Sequence, residues 1–148
     1  MPTKIKHKKA KFELEPDGFS IHTFELYQRL SHSEYQDIRD YLYKLNKSEE
    51  KPCTYPNEYG NLACNAFSKY GVGITLESGN GSDGKQTMFG IRIFVSPRRL
   101  LDPDTSYLGI LPPESKAVDK VAKKFHKLFK GSPIPDDMDG YTVWRIAV

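Results

Sequence analysis

Apolar residues alternate with polar ones between Lys11 and Leu26: Phe12 and Leu14, then Phe19 and Ile21, then Phe24 and Leu26, interrupted by Pro16-Asp17-Gly18. Successive side chains of an extended chain point to opposite faces, so this stretch predicts a strand, a turn and a longer strand. The period then becomes helical. Tyr35, Ile38, Leu42 and Leu45 recur at intervals of three and four, preceded by Ser31–Glu34 and Ser33–Gln36, which are both capping-box spacings. A first helix is predicted over 32–46.

Residues 47–64 carry Pro52, Pro56, Asn57, Gly60 and Asn61 with little periodicity, which predicts a long loop holding Tyr55, Tyr59, Cys53 and Cys64. Strand character returns over 65–76 and 86–95. The run Gly79-Asn80-Gly81-Ser82-Asp83-Gly84 between them supplies residues that tight turns require, so the pair reads as a hairpin. Pro97 closes its second arm. A second helix is predicted over 113–130, opening at Pro112-Pro113, carrying an apolar stripe of Val118, Val121, Ala122, Phe125, Leu128 and Phe129, and ending at Gly131. Tyr141 to Val148 reads as a final strand, either a buried terminal strand or the end of a fragment of something longer.

The order is strand, helix, two strands, helix, strand. It predicts an α+β domain over 11–148 with a βαββαβ plan: a ferredoxin-like antiparallel sheet with both helices on one face. At 148 residues the chain can bury one sizeable core, and a hydrophobic fraction of 38% is too rich for disorder. No apolar run approaches the roughly 20 residues that span a bilayer, so no membrane association is expected. Two cysteines are too few for a disulfide scaffold, which fits a reducing cytoplasm.

Charge is unevenly spread. The net charge is +3, yet Lys4, Lys6, Lys8, Lys9 and Lys11 fall within the first eleven residues, leaving 17 basic side chains against 19 acidic ones in the remainder. Residues 1–10 form a basic arm suited to phosphate contacts. In the second helix Lys116, Lys120, Lys123, Lys127 and Lys130 are spaced four, three, four and three apart, with Lys124 beside them. That spacing builds a basic ridge opposite the apolar stripe, able to meet a nucleic-acid backbone or simply to face solvent. Arg92, Arg98 and Arg99 make a second basic group along and after the 86–95 strand.

Catalytic patterns are incomplete. The 79–84 glycine run matches a dinucleotide fingerprint by letter, but a strand rather than a helix N-terminus follows it. Asp136, Asp137 and Asp139 suggest part of a calcium loop, but Pro135 and Ile146 stand where its end ligands belong. No spacing brings Cys53 or Cys64 to His22 or His126, and no cofactor is implied.

The stretch Ile93 to Tyr107, with Tyr141-Thr142-Val143-Trp144-Arg145-Ile146, resembles the N-terminal part of replication-initiation-factor proteins of phages, plasmids and integrative elements. The resemblance implies mobile-element origin and DNA binding. Such proteins nick DNA with a metal-bound carboxylate site and a tyrosine, and an Arg-Ile-Asp strand helps build that site. Here the strand reads Arg145-Ile146-Ala147, and alanine cannot ligate a metal. The expectation is a non-catalytic nucleic-acid-binding protein using the lysine arm, the helix ridge and the arginines. The alternative is a phage-encoded inhibitor that binds a host defence nuclease through Tyr55 and Tyr59.

Overall fold

The computed structural model describes residues 23–46, 52–80, 87–103 and 115–147. The basic arm with Lys4, Lys6, Lys8 and Lys9, the alternating pattern before Thr23, the 81–86 turn, and Tyr107 with Pro112-Pro113 lie outside them.

The first strand, β1, spans Thr23–Leu30 and buries Phe24, Leu26 and Leu30. Helix α1 spans His32–Leu45 and opens on the capping box expected at Ser31. The Ser31 hydroxyl accepts from the Glu34 N–H at 3.1 Å, and the Glu34 carboxylate accepts from the Ser31 N–H at 2.7 Å, so two orphan donors of the first turn are satisfied. Ile38 and Leu42, one helical turn apart, are buried.

The predicted 47–64 loop is corrected by two short paired strands, β2 (Thr54–Pro56) and β3 (Leu62–Cys64). Their turn is closed by Asn57, whose side-chain oxygen accepts from the N–H groups of Tyr59 and Asn61, and by Gly60 at φ 80°. Asn46 at the end of α1 secures the hairpin base: its side-chain oxygen accepts from the Cys53 and Thr54 N–H groups, and its amide donates to the Thr54 hydroxyl. The strand expected over 65–76 begins only at Val72. A 3-10 turn at Ser68–Tyr70 precedes it, ending on Gly71 at φ 76°.

Strands β4 (Val72–Asn80) and β5 (Thr87–Val95) form the expected antiparallel hairpin. Pro97 starts an element as well as ending one: it occupies the first turn of a short helix, α2 (Pro97–Leu101), where its missing N–H costs nothing. Helix α3 spans Ser115–Phe129, and Gly131 at φ 83° follows its last turn. A 3-10 turn at Met138–Gly140 leads into β6, Thr142–Ala147.

The architecture is α+β, with one antiparallel six-stranded sheet in the order β2-β3-β4-β5-β1-β6. A four-stranded plan is therefore corrected to six strands, because β2 and β3 extend the sheet beyond β4. Register aligns Phe24, Val95 and Val72 in one row and Leu26, Ile93 and Ile74 in the next, all on the helix side. They join Ile38 and Leu42 of α1 and Val121, Phe125 and Phe129 of α3 in a single core. Phe125 meets Phe129 and Tyr141 edge-on, with ring centroids 5.1 and 5.6 Å apart. Among the described residues no helix is long and apolar enough to cross a membrane.

Candidate nucleic-acid interface

The amphipathic spacing of α3 buries Val121, Phe125 and Phe129 and turns Lys120, Lys123, Lys124, Lys127 and Lys130 to solvent. Lys116 belongs to the first turn of the same helix. The ridge has two unlike flanks. On one, Lys123, Lys127 and Lys130 share a groove with Asp136, Asp137 and Asp139, and His126 Nδ1 lies 3.2 Å from the Asp136 carboxylate. These acids offset the lysine field on that flank.

On the other flank α2 packs against α3. Leu100 anchors α2 in the core. Arg98 and Arg99 are thereby brought to the α3 side of the sheet, where Lys120, Lys123, Lys124 and Lys127 line grooves with Leu100 and Leu101, so that Lys123 and Lys127 border both flanks. The 3-10 turn carrying Lys69 also contacts α2, and Arg99 Nε lies 3.5 Å from the Lys69 carbonyl. Gly71 permits this approach, since a Cβ there would stand 2.7 Å from Arg99 Cβ and 2.9 Å from the Ser96 carbonyl. Sequence spacing reveals the lysine ridge, whereas α2, five residues long, carries too little periodicity to reveal its docking.

Arg92 is separated from Arg98 and Arg99. It projects from the sheet face opposite the helices, where Glu77 binds it at 2.7 and 3.4 Å and Glu25 lies 3.7 Å away. Its guanidinium stands 5.3 Å from the Tyr27 ring and 5.0 Å from the Trp144 ring. Arg145 reaches Glu25 from β6 at 3.7 Å. Two carboxylates and two aromatic faces thus hold Arg92 in place on the sheet face away from Arg98 and Arg99.

Tyr55 and Tyr59 are 48% and 79% exposed on the β2–β3 hairpin, which makes them presented side chains of a formed element. Cys53 and Cys64 are buried free thiols. Burial pushes the Cys64 thiol up to about 11, which keeps it protonated and a poor nucleophile at neutral pH. Among the described residues no group of three or more His, Cys, Asp or Glu side chains is arranged to hold a metal. Compared with known proteins, the chain matches no family model, no curated protein and no solved structure.

Proposed function

We propose that this protein binds nucleic acid through its backbone phosphates, using the surface where α2 packs on α3. The observation that carries the reading is the packing of α2, which carries Arg99, against both α3 and the turn that carries Lys69, beside Lys120 and Lys124, which are exposed and stand outside the groove that holds Asp136, Asp137 and Asp139. Clustered cations displace counterions condensed on a phosphate chain, and that release drives binding without base preference. The N-terminal arm, with Lys4, Lys6, Lys8 and Lys9, adds a second cationic segment.

The same reading takes the protein as a non-catalytic member of a mobile element, related to replication initiators, with Ala147 in place of the metal-binding carboxylate. It also takes β4-β5-β1-β6 as a ferredoxin-like core to which the β2–β3 hairpin has been added at one edge. The exposure of Tyr59 at the hairpin turn favours one second reading, a protein-binding inhibitor.

Titrating labelled duplex and single-stranded oligonucleotides at rising salt tests the proposal. Log affinity should fall against log salt with a slope of about -0.9 per phosphate contact on duplex DNA. Joint reversal of Lys120 and Lys124 to glutamate should weaken binding and flatten the slope. Reversing Lys123 and Lys130 should do less, because both line the groove that holds the Asp136, Asp137 and Asp139 carboxylates, whereas Lys120 and Lys124 do not. Absence of any shift at low salt and micromolar protein overturns the reading in favour of the inhibitor.

A further inference from the structure

The sheet face opposite the helices holds a depression of about 320 Å³ that the Arg92 cluster does not fill. Its two sides are Tyr55 on β2 and Phe94 on β5, 48% and 44% exposed. Strands lie about 4.8 Å apart, so the backbones carrying these rings are separated by about 14 Å. The floor between them is Ala63, Gly73 and Thr75, all small. A Cβ added at Gly73 would find only Phe94 Cβ within 4 Å, at 3.9 Å, so this part of the floor is open.

We propose that this slot takes an unpaired nucleobase, which rests on the phosphate-binding reading above and specifies a single strand as its ligand. Three features select that occupant. A flat ring can stack on Phe94 or Tyr55 whichever base it is, because every base has a π-face. Polar groups line the slot too: the Ser68 hydroxyl, donor and acceptor, can meet the edge of a base, while Glu25, which also lines it, is held by Arg92 and Arg145. The slot also adjoins the basic surface. Ser68 lines it, while Tyr70, two residues on in the same 3-10 turn, lines the groove with Lys124 and Lys127. A strand whose phosphates follow Lys124, Lys127 and Lys69 therefore has a short path round this turn for its next base. An extended peptide gains less here: β3 and β4 are interior strands, with neighbours on both sides, so the floor offers no free edge for backbone pairing.

The test measures binding of a labelled single strand and of a duplex of equal length at one low salt concentration. The variants are Phe94→Ala, Tyr55→Ala and Gly73→Val; Tyr43→Ala, on the exposed side of α1, is the control, and circular dichroism verifies the fold of each. Gly73→Val fills the floor with a strand-compatible side chain and spares both aromatics. Phe94→Ala should weaken single-strand binding by about 5- to 150-fold, the range of one lost base stack. Gly73→Val and Tyr55→Ala should act in the same direction, with duplex affinity and the salt slope unchanged and the control like wild type. If Phe94→Ala and Gly73→Val leave single-strand affinity intact while the lysine reversals weaken it, the slot proposal is overturned and the phosphate reading stands. If the wild type binds neither oligonucleotide, both fall. A host protein retained by wild type and lost with Phe94→Ala, at unchanged oligonucleotide affinity, assigns the slot to a protein contact and also overturns the proposal.

Discussion

The two faces of the sheet solve burial differently with the same alternating period. The helix side presents Phe24, Leu26, Val72, Ile74, Leu76, Ile91, Ile93 and Val95, all nearly inaccessible, to α1 and α3. The opposite side has no covering layer among the described residues, and its centre is stabilised laterally. Arg92 is bound by carboxylates from the strands on either side of it, Glu25 and Glu77, while Tyr27 and Trp144 stand against its guanidinium. Cross-strand pairs of this kind can finish a solvated face without a second core. What they leave uncovered, at Phe94 and Tyr55, is then informative because its neighbours are so well satisfied.

The largest expected effect separates the faces directly. Phe125→Ala removes a fully buried ring packed edge-on against Phe129 and Tyr141, and should cost about 3–5 kcal/mol in denaturant titration. Phe94→Ala should stay within about 0.5 kcal/mol of wild type. Comparable losses at the two positions would mean that the open face is packed after all.

A smaller effect tests how tightly the open face is built. Tyr27 lies across Gly90, with its ring where a Cβ at 90 would stand. Gly90→Ala should therefore push Tyr27 off its seat and away from Arg92, at a cost of about 1–3 kcal/mol. A neutral result would show that the tyrosine is free to move aside.

The smallest effect lies on the helix side and is read by pH. The Tyr141 phenol donates to the Pro135 carbonyl at 2.7 Å, and burial, helped by the nearby Asp136 carboxylate, raises its pKa well above the ordinary 10.0. The folded chain keeps this proton where the unfolded chain releases it, so the stabilisation is whole below pH 10 and declines as pH rises beyond. Tyr141→Phe should lose about 1 kcal/mol at neutral pH and show a shallower alkaline decline. An unchanged alkaline slope would place the titration elsewhere.

Legibility in the sequence followed the length and regularity of each element. The α3 stripe and the Ser31–Glu34 box were readable because many residues, or one specific pair, carry the signal. The β4–β5 hairpin was readable from its turn composition, although its first strand starts later than alternation suggested. The β2–β3 hairpin was not, because three-residue strands are too short to show a period and Pro56 argues against a strand except at an edge, which is where β2 lies. For the interface, spacing exposed the lysine ridge. Adjacency in sequence wrongly grouped Arg92 with Arg98 and Arg99: one strand and one helix turn carry them to opposite sides of the sheet. Only register, Tyr27 beside Arg92 and Glu25 beside Phe94, reveals what the open face contains.

The Asn46 clamp makes the chain modular. One side chain ties the end of α1 to Cys53 and the start of β2 by four hydrogen bonds, which fixes both ends of the 47–51 connection. Lengthening a connection whose ends are already fixed is inexpensive, at about 0.6 kcal/mol for each doubling. That makes 47–51 a natural position for grafting an epitope or a fluorophore, or for opening new termini in a permuted chain, with Asn46→Ala as the change that would remove the tolerance.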